Sequence, residues 1–278
     1  MLLTPFPKKK TWVAGTTDAG QFDCLGIRRT GNRVELEEII SCTSLSELPS
    51  DVSNLVIHSE RILISSESFP PVKEEILRLQ IEERIRPLGP WEENIPLHHC
   101  IRLITKGNTL GTYAIISLPQ NDIERHIAGA QESKIRIRRC IPHVASISAL
   151  SGRLTKEPVI CCFIVSGYME ILVSEKGIPC YSQISPIDQE TGIDFDVLAQ
   201  SIFNVRQIFS SRFNKNIEKL LFFSKETTNI PEKIGDEAVW KPNLDDFIIK
   251  GDKGLFWRYP ELVGAPLFQM TLTVCQKT

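Results

Sequence analysis

The chain has 278 residues, 42% apolar and 24% charged, with a formal net charge of −2. That leaves room for one large or two medium domains of ordinary globular composition. It gives no charge excess that would favour nucleic acid or an anionic membrane as partner. No apolar run approaches the roughly 20 residues needed to cross a bilayer. The opening MLLTPFPKKK puts its charges after a short apolar part, unlike a secretory signal. Eight cysteines, at 24, 42, 100, 140, 161, 162, 180 and 275, include no C-x-x-C pair. Their apolar contexts read as reduced core thiols of a cytoplasmic protein.

Residues 1–10 read as a loose, basic start. A strand is expected at 12–17, then two more at 24–29 and 33–40 around Thr30-Gly31-Asn32, a hairpin signal. Short strands at 55–57 and 62–64 continue the meander to residue 65. Phe69-Pro70-Pro71 interrupts it. Residues 73–86 form a helix in which Leu77, Ile81 and Ile85 repeat at every fourth position, and Pro87-Leu88-Gly89-Pro90 ends it. A strand at 99–105 and an apolar strand at 113–118 follow, the latter ending at Pro119. Asn121 and Glu124 have capping-box spacing, with Ile123, Ile127 and Ala130 on one helical face. Residues 134–138 alternate strictly, as a half-exposed strand does. After Pro142, Val144, Ile147 and Leu154 mark another helix. A second meander occupies 158–165, 168–174 and 178–184, turning at Glu175-Lys176-Gly177. Asp194 caps a long helix to about 213 with Leu198, Ile202, Val205 and Phe209 on one face, and 220–224 is a buried strand. Residues 225–253 carry many turn formers and no clear element, and 255–269 read as a helix broken near Pro260 and Pro266.

Two meanders, each followed by further α/β elements, with a small α/β unit between them, make two related halves. Three segments carry a family resemblance. Residues 61–89, RILISSESFPPVKEEILRLQIEERIRPLG, resemble a PilM/GspL block in which a proline after a strand precedes an E-E-[IL]…E helix that ends in proline. Residues 112–150 resemble the next block: a strand ending in Pro, a helix, a strand, then an Ala/Leu-bearing helix. GIPCYSQI at 177–184 resembles the G-x-P…R-x-I return strand. The resemblance covers about residues 11–224. It implies an α/β, duplicated ribonuclease-H-like or actin-like ATPase fold with two lobes and a small inserted subdomain. The expected divisions are 1–65 for the start of the first lobe, 66–142 for the insertion, and 143–278 for the rest of the first lobe and the second.

The family's nucleotide motifs fail when carried over residue by residue. The first phosphate loop, D-x-G-x-x-x-x-K, puts Thr16 at the Asp position, Asp18 at the Gly position and Asp23 at the Lys position. An aspartate for a lysine turns attraction for phosphate into repulsion, about 4 kcal/mol at ~4 Å in an intermediate dielectric. A shifted alignment would read Asp18-Ala19-Gly20 as D-x-G but lengthens the preceding strand. In the second phosphate loop Phe163 and Val165 replace Asp and Gly. Leu221-Phe222-Phe223-Ser224 puts bulky rings where the adenosine motif has a Gly-Gly that lets backbone approach the base. No cofactor is therefore expected.

Other polar clusters have plainer readings. Asp18 with Gly20 could be a remnant phosphate nest, although a simple turn accounts for it. His98-His99-Cys100 is a metal candidate only superficially, because neighbouring strand residues point to opposite faces. Lys134, Arg136, Arg138 and Arg139 make a basic strand face without aromatic companions, so a solvated edge is expected rather than nucleic acid. No G-x-S-x-G, H-E-x-x-H or P-loop pattern is present.

The resemblance implies a non-catalytic scaffold, cytoplasmic and peripheral to the inner membrane, in a type IV pilus or type II secretion platform. It would bind the cytoplasmic peptide of a bitopic membrane protein, the assembly ATPase, or both. Without a membrane span the chain resembles PilM, or the cytoplasmic part of a GspL-type protein. Strand addition or groove capture beside the inserted unit would supply binding, with Ile135, Arg136, Ile137 and Arg138 as the candidate edge. The alternatives are an active ATPase or sugar-kinase-like phosphotransferase using Asp18, and an actin-like polymerising protein.

Overall fold

Continuously buried runs in its inner strands build the first sheet, and only the outer strand at Arg33–Cys42 alternates. Three strands, β1 (Thr11–Thr16), β2 (Phe22–Thr30) and β3 (Arg33–Cys42), pair antiparallel in sequence order. β4 (Asp51–Ile57) returns parallel to β1. The structure is a computed structural model that describes residues 10–17, 21–30, 33–107, 109–165, 167–187, 193–225 and 230–268. The hairpin turn at Gly31-Asn32 and the residues Asp18 to Gly20 lie outside that set.

The inserted unit follows. β5 (Leu63–Phe69) and α1 (Glu74–Ile85) precede the hairpin of β6 (Leu97–Lys106) and β7 (Gly111–Pro119). β5 and β6 flank β7 in an antiparallel three-stranded sheet. The strand expected at 62–64 therefore does not extend the first meander; its pairing partner is β7. Leu77, Ile81 and Ile85 are buried with Phe69 and Ile115 in a separate small core, as the four-residue repeat requires.

α2 (Gln120–Glu132) follows β7 without a linker. The expected capping box does not form. Pro119 occupies the cap position, and the Gln120 amide donates to the Pro96 carbonyl, so the strand end does the work of a side-chain cap. Lys134 then turns the chain at φ 56°. The strand expected at 134–138 shortens to β8 (Arg136–Ile137), which pairs parallel with β4 at the sheet's edge. The alternation is kept, but Ile135 is buried rather than part of an exposed edge. β9 (Cys140–Pro142) also pairs with β4, and α3 (His143–Leu154) begins directly after it.

The second half repeats the plan. β10 (Val159–Val165), β11 (Tyr168–Glu175) and β12 (Ile178–Pro186) form an antiparallel meander. Lys176 and Gly177, both at positive φ, make the two-residue turn that matches strand twist. α4 (Phe195–Phe213) is capped by Asp194, whose carboxylate accepts the Asp196 and Val197 amides. It leads to β13 (Lys219–Ser224), parallel to β10. Thus β3-β2-β1-β4 and β12-β11-β10-β13 share one strand order, the mark of a duplicated fold.

The segment without a sequence assignment holds a two-stranded pair, β14 (Lys233–Ile234) with β15 (Glu237–Ala238). It also holds β16 (Ile248–Lys250), which crosses back to pair with β3. The broken terminal helix is α5 (Gly254–Arg258) followed by α6 (Pro260–Gly264). One core joins β1–β4, α3, α5 and α6 to Cys161, Phe163, Leu221 and Phe223 on one face of the second sheet. The other face, Ile160, Cys162, Ile164, Leu220 and Phe222, packs on α4. Burial on both faces explains why β10 and β13 are continuously apolar. Cys24, Cys42, Cys100, Cys140, Cys161 and Cys162 are free, buried thiols; burial pushes Cys161 up to about 12.

Candidate functional site at the junction of the two large sheets

The ends of β1, β10 and β13 converge beside α6, which brings the three degenerate motif segments together. Thr16, at the end of β1, is buried, and its hydroxyl accepts the His58 amide at 3.1 Å. Asp23 lies opposite Gly15 on β2. One of its oxygens takes a 2.8 Å hydrogen bond from Ser41; the other is 3.6 Å from Lys225 Nζ. Phe163 is fully buried, 5.8 Å from the His58 ring and 6.2 Å from His143. Val165 ends β10 and pairs with Tyr168. Asp18 lies outside the described residues.

Around these positions sits a polar cluster that the sequence did not single out. Glu261 on α6 is fully buried. Lys225 Nζ lies 3.2 Å from its Oε1, and His58 Nε2 lies 3.8 Å away. Among the described residues no hydrogen-bond donor is aligned on either Glu261 oxygen. Burial favours a neutral Glu261, but the Lys225 charge and His58 outweigh it and hold the carboxyl down to about 2. Burial likewise opposes the Lys225 charge, yet Glu261 and Asp23 together raise its pKa. Burial dominates at His58, pushing it down to about 4, so this imidazole is neutral.

His58 stacks on His143 at 4.6 Å between ring centroids. His143 Nε2 is 2.5 Å from Glu170 Oε2, both side chains being essentially inaccessible to water. Burial opposes the charge on His143, but Glu170 prevails and raises its pKa. A buried ion pair is costly to desolvate and strongly destabilising when half of it is removed. The sequence signal, a lone Glu170 inside Tyr-Met-Glu-Ile-Leu-Val, was there but had no visible partner.

A cavity of about 840 Å³ opens next to this cluster, where the first sheet, α2 and β11 meet. Thr16, Thr17, His58, Arg61, Arg125, His126 and Tyr168 line it. Asp122 on α2 accepts from Ser59 at 2.7 Å and pairs with Arg61 at 2.5 Å, fixing one wall. His58 Nδ1 has no hydrogen-bond partner among the described residues.

The other candidates separate from this junction. His99 is held between Ser117 (2.7 Å) and Glu82 (2.6 Å). Its burial outweighs Glu82 and lowers its pKa. No cluster of three or more metal-ligating residues occurs among the described residues. Arg136 and Arg138 are exposed on the β8 edge, Ile137 is half-buried, and Arg138 pairs with Asp51.

No protein-family model and no curated protein matches the sequence. Solved structures do. The PilM–PilN type IV pilus biogenesis complex aligns over 78% of this chain and 82% of that one, with 9% identity and a TM-score of 0.59. The cytoplasmic domain of EpsL, an inner-membrane component of the Vibrio cholerae type II secretion system, aligns over 95% of this chain and 98% of that one, with 11% identity and a TM-score of 0.60. At such identity the likeness establishes architecture. The chain has a duplicated, actin-like α/β fold, the one its resemblance to PilM- and GspL-type proteins implied.

Proposed function

We propose that this protein is a non-catalytic scaffold in the inner-membrane platform of a type IV pilus or type II secretion system. It works at the cytoplasmic face and binds the cytoplasmic segment of a bitopic membrane protein, the assembly ATPase, or both. The observation that carries this reading is how the motif junction is filled. Thr16 is engaged by the His58 backbone, Phe163 is packed against two imidazoles, and Asp23 faces the chain's own Lys225. Carboxylates placed for a cation and backbone left open to phosphates are what nucleotide binding needs, and these groups are otherwise engaged. The fold shared with a PilM–PilN complex and with the EpsL cytoplasmic domain supports the same assignment. No helix among the described residues is long and apolar enough to cross a membrane.

The seat for the partner is the region beside the inserted unit. The cavity at α2 offers groove capture, with two arginines and neighbouring hydroxyls at its wall. β8 offers strand addition. Its Arg136 and Arg138 amides donate to the Ser50 and Val52 carbonyls, which by alternation leaves the Ile137 amide on the outer edge. Buried Ile135 anchors this edge.

Calorimetric titration with Mg-ATP tests the non-catalytic half, and no saturable binding is expected. Micromolar binding would end the reading. Titrating labelled cytoplasmic segments of bitopic platform proteins tests the other half. Saturable binding that Arg136→Glu or Arg125→Glu weakens is expected, and a panel in which no segment binds counts against it.

A further inference from the structure

We propose that Lys225 is a built-in strut that holds the two lobes closed without a ligand, by joining the end of β13 in the second sheet to Asp23 in the first and to Glu261 on α6. The lysine directly follows the last strand of one sheet, Asp23 lies in the other, and α6 packs against β1, β2 and α3. The shared core packs the two lobes together, but at its polar end the junction of the sheets needs a separate tie. Here a tethered ammonium spans the junction, 3.2 Å from one carboxylate and 3.6 Å from the other.

The surroundings make the arrangement consequential. Tyr259 presents its ring 5.4 Å from Nζ, and Ser41 holds the far oxygen of Asp23. His58, which also faces Glu261, is neutral, and the charge on His143, which Glu261 also feels, is engaged by Glu170 at 2.5 Å. Removing the lysine would leave buried Glu261 without its ion-pair partner and Asp23 without its cross-lobe partner. Opening the junction to water is the available relief. The strut does not depend on which partner is bound. It would keep Tyr168, the second sheet's contribution to the cavity, at a constant position against the wall formed by the first sheet and α2, as a docking platform requires.

Hydrogen exchange on the full chain tests this with three variants. In Lys225→Met, amides at the start of β2 and in α6 are expected to exchange about tenfold faster. Those of the β5-β7-β6 sheet, remote from the strut, should keep their wild-type rates. The radius of gyration in solution scattering should rise at the same time. Lys225→Arg, which keeps the charge, should behave as wild type. Unchanged exchange in Lys225→Met, equal acceleration in Lys225→Arg, or equal acceleration in the three-stranded sheet would each overturn the strut. If Lys225→Met does not fold, Asp23→Asn decides, because it removes only the cross-lobe end. Faster exchange in β2 and α6 supports the strut, and wild-type rates overturn it. Mg-ATP binding would remove the scaffold reading and leave this test intact.

Discussion

His58 carries a pH signature that follows from its position under Phe163. Its folded pKa is about 4 against 6.5 for the free side chain. Between those values the unfolded chain takes up a proton that the folded one refuses. Its burial is therefore harmless above pH 6.5 and destabilising as pH falls to 4, by on the order of 3 kcal/mol. Glu261, held near 2, acts in the same direction, with stability present above pH 4.5 and lost as pH falls through 2. His98, pushed by burial to about 4, adds to this loss. His143 opposes it. Its pKa is raised, so its contribution is present below pH 6.5 and fades as pH rises through the folded value. The melting temperature should fall between pH 6.5 and 4, and His58→Gln should flatten that slope. A variant with the full wild-type slope would show that the imidazole is not the group responsible.

At the scale of elements, α6 depends on one close approach. A Cβ on Gly264 would lie 2.1 Å from the Ser146 carbonyl oxygen on α3, a backbone atom that cannot swing aside. Gly264→Ala should lift α6 off α3 and cost about 1–3 kcal/mol. Urea unfolding would show this as a lower midpoint at unchanged slope. Other elements were legible from local pattern. Leu77, Ile81 and Ile85 on α1, the Asp194 cap of α4 and the turn at Lys176-Gly177 each follow from a few neighbouring residues. The Asn121–Glu124 spacing misled because a cap is needed only where the chain arrives at a helix irregularly. Here β7 runs straight into α2 and the Pro96 carbonyl takes the first amide.

For the whole molecule, the decisive fact is that one core belongs to both lobes. Phe163, Leu221 and Phe223 from the second sheet share it with Val13, Leu25 and Leu55 from the first, with α3 and α6 between. Neither lobe can lose its packing alone. Tryptophan fluorescence of Trp91→Phe, which removes the reporter in the small core and leaves Trp12, Trp240 and Trp257 against this one, should therefore follow the same unfolding curve as far-ultraviolet circular dichroism. Separate transitions for the two signals would mean the lobes unfold independently.

The sequence alone determined most elements up to residue 224, the order of the two meanders and, by family resemblance, the actin-like architecture. Each of these rests on periodicities and turn residues that neighbours in the chain express. It also marked Thr16, Asp23 and Phe163 as departures from a nucleotide site. Only the tertiary structure decided what those departures face. Lys225 and Glu261 are 36 residues apart, and Asp23 and Lys225 are about 200 apart. A buried charge declares its partner only when folding removes the water between them. The return of β16 to the first sheet is equally silent in its three residues, because an edge pairing is chosen by the neighbour that is free to accept it.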